Sequence, residues 1–256
     1  MDKDKLAKAY AKKSALLAKS DNRAKKKLDD VWHERSTGRY IGDVIFGAND
    51  GIITTFAVIS GATGGQLAPI VVIILGTANL FADGVSMGLG NYLGQKSERS
   101  YVKGQRNKEA WEVENLPEIE TQEIRDIFQD WGFKDNDLER AVEIVTNDKE
   151  VWIDIMMKYE LEIFESSAES PIKKGIATFI AFVIAGVVPL TPFLIGVDNP
   201  FWWAVGLTAI ELFAIGSSRA KVAPVKWLTA GLEMLSVGTL AAAIAYLIGR
   251  LLHAII

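Results

Sequence analysis

The sequence predicts an all-α, polytopic membrane protein with five transmembrane helices and a polar helical insert between the second and third of them. First, the chain contains five apolar stretches, each close to the length of about 20 residues that a helix needs to cross the hydrocarbon core of a bilayer. Second, its charge is segregated, because residues 41–95 contain no Lys or Arg whereas residues 96–170 contain 20 Asp and Glu. Two solvents, water and lipid, are therefore implied.

The residue types also exclude several classes of protein. The chain has no cysteine and only two histidines, His33 and His253. Disulfides, thiolate metal sites and cysteine nucleophiles are excluded, and the two histidines argue against a zinc enzyme or a di-iron centre of the Glu-x-x-His type.

The composition divides the chain into four segments. We expect a basic cytosolic N-terminal arm over residues 1–40, with a net charge of +6, and transmembrane helices 1 and 2 over residues 41–95. An acidic helical domain with a net charge of −10 follows over residues 96–170, and transmembrane helices 3 to 5 occupy residues 171–256.

The five predicted spans follow from the apolar stretches in order. They are Ile41–Ala62, Leu67–Leu93, Ile176–Val197, Phe201–Ser217 and Trp227–Gly249. The alternative is a soluble protein with five buried core helices, but such a chain would have too little polar surface to cover them. Trp202, Trp203 and Trp227 lie at span ends, which is typical of residues at the membrane interface.

The basic residues predict the orientation. The N-terminal arm, the start of the insert, Lys173 with Lys174, and the segment between spans four and five carry nearly all the Lys and Arg. Because basic segments remain in the cytosol, we expect a cytosolic N-terminus and insert. The C-terminus, with a short tail that contains Arg250, is then expected outside.

The insert is predicted to consist of helices. The second span should continue without a breaker to Asn115, and a helix should run from Pro117 to Gly132. Two further helices are predicted over Asp135–Thr146 and Val151–Phe164 from their apolar spacing. A module of this size is marginally stable alone, so we expect a second copy of the chain to support it.

The insert also contains acids at helical spacing. Two pairs of glutamates are three residues apart, and a methionine precedes another glutamate by four. The residues are Glu109, Glu112, Glu120, Glu123, Met156 and Glu160. Like charges on one helix face destabilise it unless a cation lies between them, and carboxylates with a thioether suit Fe²⁺. A solvated acidic face is the alternative, and spacing alone leaves both open.

Acidic residues also interrupt the first two spans. Asp43 and Asp50 are seven residues apart on one helix face, and Asn79, Asp83 and Met87 follow each other at intervals of four. An ionisable residue at membrane depth costs about 3 kcal/mol, so it usually marks a pathway. We interpret these residues as an ion or proton path, although helix–helix hydrogen bonding fits Asn79 and an interfacial or capping role fits Asp43.

Two more acids lie in the later spans. Glu211 and Glu233 are candidates for proton binding or for pairing with Arg219. The patterns Gly84-x-x-x-Gly88 and Gly90-x-x-x-Gly94 give span two a smooth face that is suited to close helix packing. Since five spans cannot form an internal inverted repeat, we expect a homodimer with the path between subunits.

Two long motifs resemble those of the vacuolar iron transporter (VIT) family. They are GDVIFGANDG at residues 42–51 and DGVSMGLGNYL at residues 83–93, the latter followed by Lys96-Ser97-Glu98. Gly231-Leu-Glu-Met-Leu235 is similar to the prokaryotic branch of that family. The similarity covers about residues 31–256.

The resemblance implies a dimer of five-span subunits with a cytosolic metal-binding domain between spans two and three. It implies export of Fe²⁺ from the cytosol in exchange for protons. It places the translocation aspartate at Asp50 and the pathway methionine at Met87. It places the ligands of the metal domain at Glu109, Glu112, Glu120, Glu123, Met156 and Glu160. Asn79 replaces a pathway glutamate of the plant members, and Asp83 lies one turn later.

We therefore predict a non-enzymatic transporter that exports Fe²⁺, with Mn²⁺ or Zn²⁺ as further ions, and that has no prosthetic group. The expected partners are a second copy, the lipid bilayer, divalent metal ions and protons, but no nucleic acid. The cell membrane is expected, with the vacuolar membrane as the alternative. The alternative functions are a Mn²⁺ or broad divalent-metal exporter, a metal sensor without flux, and a membrane-anchored iron oxidase or storage protein. The insert contains no histidine, which argues against the last.

Overall fold

The computed structural model describes residues 40–164, 170–221 and 223–255. Within these ranges the chain forms eight α-helices and one short 3-10 helix, with no β-strand. The predicted all-α class is confirmed. The predicted basic arm lies outside the described residues, apart from Tyr40. The helices are α1 Ile41–Gly64, α2 Pro69–Asn115, α3 Pro117–Asp130, α4 Asp135–Thr146, α5 Lys149–Tyr159, α6 Pro171–Leu194, α7 Pro200–Ser218 and α8 Trp227–Ile255.

Five of the helices are long and apolar enough to cross a membrane, namely α1, α2, α6, α7 and α8. Many of their apolar side chains remain exposed, for example Phe46 at 60%, Ile184 at 66% and Ile210 at 69%. Such a surface is stable only against hydrocarbon. The chain is therefore an integral membrane protein, as the sequence predicts.

Three helix ends differ from the prediction by five residues or more. α6 begins at Pro171, so Lys173 and Lys174 form part of its first turn. α8 continues to Ile255, which puts Arg250 inside a helix and not in a tail. α5 ends at Tyr159, five residues before the predicted end at Phe164.

The early end of α5 has a physical cause. Glu162 adopts a left-handed φ of 53°, and the backbone N–H of Ile163 donates to the Met157 carbonyl at 2.8 Å. This turn brings Leu161 and Ile163 back onto the apolar core of the insert. Glu160 therefore caps the end of α5, whereas the prediction placed it within the helix.

The described residues divide into two compact units. The first contains the described residues up to Gly88 and from Ile176 onward, and we call it the bundle. Its helices approach closely at glycines. A Cβ on Gly47 would lie 2.5 Å from the Thr178 carbonyl oxygen, and one on Gly51 would collide with the Phe182 carbonyl. These glycines allow α6 to pack on α1, while α1 itself remains a continuous helix.

The second unit, Leu89–Gly175, is the insert. Its core contains Ile124, Phe128, Val142, Trp152 and Met156. The polar half of α2 and the helices α3 to α5 contribute to this core. The Asp148 carboxylate caps α5 by accepting from the backbone N–H groups of Glu150 and Val151. The insert is thus a small helical module with its own apolar interior.

Candidate metal-binding site

Three glutamates of the insert meet at one point. Glu109 comes from the polar half of α2, Glu120 from the first turn of α3, and Glu160 from the end of α5. One carboxylate oxygen from each lies within 4.8 Å of the others. Three helices that are distant in sequence therefore supply a convergent set of oxygen ligands.

Two of these carboxylates are almost completely removed from water. Glu109 is 1% exposed and Glu120 is 4% exposed. Both carboxylate oxygens of Glu109, and Oε2 of Glu120, have no hydrogen-bond partner among the described residues. A buried ionised carboxylate without partners is strongly destabilising, so these oxygens indicate that a bound cation or proton completes the site.

Burial and mutual repulsion raise the proton affinity of the cluster. Burial and the neighbouring charge of Glu160 raise the pKa of Glu109 to about 7. Burial and the charge of Glu123 raise the pKa of Glu120 to about 7. Burial, followed by the charges of Glu123 and Glu112, also raises the pKa of Glu160.

The other two predicted glutamates lie beside this cluster. Glu112 and Glu123 are half-buried, and their charges act on Glu109, Glu120 and Glu160. The structure thus brings all five predicted glutamates together. Oxygen ligands in this number suit Fe²⁺, Mn²⁺ or another hard divalent cation.

Met156 is fully buried in the apolar core of the insert. Its carbonyl oxygen accepts from the Glu160 backbone N–H at 3.0 Å, so the two residues lie one turn apart. This burial is compatible with packing or with donation of a thioether ligand.

Two basic residues near the site were not predicted from the sequence. The Lys108 ammonium lies 3.3 Å from a carboxylate oxygen of Glu112. The Arg106 guanidinium binds Glu150 at 2.7 Å and also pairs with Asp154. The spacing of Lys108 and Glu112 is a visible signal for the first contact. No local signal predicts the second, because the partners of Arg106 are 44 and 48 residues away.

The acids predicted in the first two spans also lie close together. The charge of Asp83 acts on Asp50, and the Asn79 side-chain amide donates to the Asp83 carboxylate at 2.7 Å. Asp50 is half-buried and has no ion-pair partner among the described residues. Asp43 is half-buried near the start of α1, and Met87 packs against the apolar core of the bundle.

The two acids of the later spans have different surroundings. Glu233 accepts a hydrogen bond from the Arg219 guanidinium at 3.0 Å. Pairing with Arg219 was one of the two roles that the sequence predicts for this residue. Oε2 of Glu211 is shielded from solvent and has no hydrogen-bond partner among the described residues. Arg219 therefore neutralises one of these acids and leaves the other unpaired.

Comparison with known proteins adds an independent finding. The VIT family matches residues 41–250 of this chain. The chain is 33% identical over 235 residues to a vacuolar iron transporter of Toxoplasma gondii, covering 88% of this chain and 78% of the relative. It is 30% identical over 257 residues to one of Plasmodium falciparum, covering 96% and 94%. It is 29% identical over 213 residues to one of Oryza sativa, covering 82% and 84%. These relatives are named as transporters and not as enzymes, in agreement with the prediction of a non-enzymatic protein.

Proposed function

The chain belongs to the VIT family, and from this premise we propose that it exports Fe²⁺ from the cytosol in exchange for protons. The observation that carries the proposal is the convergence of Glu109, Glu120 and Glu160 with buried, unpartnered oxygens. Such a cluster is suited to a divalent cation, which iron transport requires. The names of the relatives support iron as the ion.

The insert captures the ion in this proposal. Its cluster supplies carboxylate oxygens from Glu109, Glu120 and Glu160, with Glu112 and Glu123 beside them. Met156 would add a thioether, which favours Fe²⁺ over harder ions. A cytosolic location of the insert fits the basic segments that flank it, and it would place the cluster on the side from which the ion departs.

The bundle then conducts the ion. Asp50 and Asp83 act on each other electrostatically without an ion-pair partner between them. A passing divalent cation would neutralise both. Met87 belongs to the same path in this proposal, and Asp43 would lie near its entrance. Since a single set of two carboxylates coordinates a divalent ion incompletely, we assign the path to a homodimer in which each subunit supplies Asp50.

Protons compete with the metal ion for carboxylate oxygens. A carboxylate must be deprotonated to bind metal, so metal affinity falls when protons are abundant. An acidic far side would therefore favour release of the ion from Asp50 and Asp83, and protons that cross the protein in the opposite direction would complete the cycle. Alternating access then requires two conformations whose populations depend on what is bound. We place the protein in the cell membrane, with its C-terminus outside.

Flux in proteoliposomes tests this function. Full-length protein is reconstituted with a lumen at pH 6, and Fe²⁺ is supplied outside at pH 7.5 under reducing conditions. We expect iron uptake with alkalinisation of the lumen. Asp50→Asn should reduce uptake about tenfold or more, because the amide has no negative charge and one fewer oxygen ligand to offer the ion. The matched control, Asp198→Asn, changes an exposed aspartate between α6 and α7 and should leave uptake unchanged. Full flux in Asp50→Asn would contradict the path.

A broader metal exporter is a second candidate. The carboxylates of the cluster are hard ligands that also suit Mn²⁺. Competition between the two ions for uptake in the same liposomes decides between the candidates. Preference for iron should disappear in Met156→Leu if the thioether supplies the selectivity, whereas an unchanged preference would remove Met156 from the ligand set.

A further inference from the structure

Glu211 is an ionisable residue of the bundle to which the proposed metal path assigns no role. It is the only acid of α7, and its Oε2 is shielded from solvent without a hydrogen-bond partner among the described residues. Glu233 on α8 differs, because it pairs with Arg219. An unpaired carboxylate at membrane depth usually has a function, since its burial is costly.

The Glu211 side chain lines a crevice of about 470 Å³ between α1, α6 and α7. The other lining residues are apolar except Ser218, whose hydroxyl already donates to the Ile215 carbonyl at 2.6 Å. The crevice lies where α1 and α6 begin and α7 ends, because its walls include Val44, Ala177 and Ser218. It is therefore an apolar recess with one carboxylate.

The crevice and the candidate metal path use different faces of α1. Val44, Ile45 and Ala48 line the crevice. With 3.6 residues per turn, Asp50 points about 160° away from Ala48 around the helix axis. Glu211 thus lies across α1 from the pair formed by Asp50 and Asp83.

A second cavity reaches the same part of α7 from the opposite end of the bundle. It has a volume of about 880 Å³ and is lined by Leu67 and Asn199, which belong to the helix connections at that end. Thr208 lines it, is 3% exposed, and its hydroxyl has no hydrogen-bond partner among the described residues. Thr208 precedes Glu211 by three residues, so the two are neighbours on one face of α7.

Glu211 is the only charged residue that lines the crevice among the described residues. On α1, the ionisable residues are Asp43 and Asp50, which lie on the face away from the crevice. On α6, Lys173 and Lys174 lie in the first turn, where the Lys174 ammonium donates to the Gln95 side chain at 2.9 Å, and residues 176–194 contain no ionisable side chain. Glu233 of α8 is paired with Arg219 of the 3-10 helix, and none of the charged residues of α8 lines the crevice.

The chemistry of this recess suits a proton and not a metal ion. A divalent cation needs several oxygen ligands, and the crevice supplies one carboxylate. An isolated carboxylate in apolar surroundings is stabilised by taking up a proton. The Thr208 hydroxyl, one of several polar groups that line the adjacent cavity, provides a polar step towards it.

We propose that Glu211 is a proton-binding site, separate from the metal path, through which the protons exchanged for metal cross the bundle. The proposal rests on the proposed exchange of metal for protons. A proton from water in the larger cavity passes the Thr208 hydroxyl and forms an O–H bond at Oε2 of Glu211. That bond breaks again when the carboxyl group gives the proton to water at the crevice. Since α1 separates the two routes, the position of this helix can couple them.

The test measures proton and iron movement together in full-length Glu211→Gln. Proteoliposomes contain a pH-sensitive dye, and potassium with valinomycin holds the membrane potential constant. We expect Glu211→Gln to retain iron uptake at equal pH but to lose the release of protons per iron. The matched control, Glu233→Gln, changes a glutamate of a neighbouring span and should keep the wild-type ratio.

Other outcomes overturn the proposal. An unchanged ratio of protons to iron in Glu211→Gln contradicts it. So does loss of iron uptake at equal pH in a variant that still binds metal in the insert, because Glu211 would then belong to the metal path. If Glu211→Gln does not fold, Thr208→Val should lower proton release per iron, and an unchanged ratio there contradicts the route. Wild-type liposomes that take up iron without moving protons would instead refute the exchange itself.

Discussion

The insert and the bundle both bury carboxylates, but they arrange them differently. In the insert, Glu109, Glu120 and Glu160 converge within 4.8 Å. In the bundle, Asp50 and Asp83 form one interacting pair, and Glu211 lies alone on another face of the fold. Several converging carboxylate oxygens bind a divalent ion tightly, whereas a few separate oxygens bind an ion weakly enough for it to leave again. The capture and the passage that we propose should therefore be separable by mutation.

The largest expected effect separates the two regions. Glu109→Gln with Glu120→Gln should weaken Fe²⁺ binding to the full-length protein about a hundredfold, because the affinity of such sites depends on the number of charged ligands. Asp50→Asn should leave that binding intact while reducing flux. Anaerobic calorimetric titration of both variants checks the contrast.

The control for the double variant is Glu143→Gln, an exposed glutamate of α4 outside the cluster. It should bind iron as the wild type does. If the double variant bound iron with wild-type affinity, the cluster would be a structural feature and the comparison between regions would fail.

The second prediction concerns pH and the metal-free protein. The pKa of Glu109 and of Glu120 is about 7 in the folded insert, above the ordinary value of 4.5. The folded state therefore binds more protons between these values, so this contribution to the free energy of unfolding is fully present below pH 4.5 and is lost as the pH rises through 7. Thermal unfolding followed by tryptophan fluorescence should show a less stable insert at pH 7.8 than at pH 5.5.

Fe²⁺ at pH 7.8 should restore the stability of the insert, because the ion takes the place of the protons. The double glutamine variant serves as the reference, since it lacks both titrating groups. A wild-type protein with the same pH dependence as this variant would show that the buried glutamates are not destabilising when ionised.

The third prediction concerns the positioning of the site. Arg106 joins α2 to α5 through Glu150 and Asp154, and the same two helices carry Glu109 and Glu160. Arg106→Gln should weaken iron binding about tenfold, since residues that orient metal ligands typically contribute 10- to 100-fold. Arg125→Gln is the matched control, because Arg125 pairs with Glu139 on α4, away from the ligands. Equal affinities of the two variants would remove the positioning role.

The smallest expected effect has the opposite sign. The Lys108 ammonium lies 3.3 Å from a Glu112 carboxylate oxygen, so it would compete with a metal ion for that oxygen, and its exposure lets salt screen the contact. Lys108→Gln should tighten iron binding about two- to fivefold at low salt, because an exposed ion pair is weak. Lys134→Gln, which changes an exposed lysine before α4, should have no effect. Weaker binding in Lys108→Gln would contradict the competition.

The sequence predicts the helices well and the site in part, for physical reasons. Asp135–Thr146 was predicted with the bounds of α4 because apolar spacing and polar punctuation mark both ends. The end of α5 was wrong because Leu161 and Ile163 fold back onto the core, a tertiary effect without a local signal. The glutamates of the insert were predicted from their spacing and from the family resemblance, but only the fold shows which oxygens are buried.

Long-range contacts account for the rest. Glu211 was predicted as a candidate for proton binding or pairing, and only packing shows that Arg219 selects Glu233. The Gly84-x-x-x-Gly88 pattern suggested close helix packing, and Gly84 indeed faces Phe179, Phe182 and Val183 of α6 in the same chain. Contacts that join residues far apart in sequence have no periodicity that would predict them.

The most direct test of the central claim is anomalous diffraction at the iron edge from crystals of the full-length protein loaded with Fe²⁺ under reducing conditions. The account predicts an anomalous peak among the carboxylates of Glu109, Glu120 and Glu160. A protein that transports iron but shows no peak between these three side chains at saturating Fe²⁺ would contradict it.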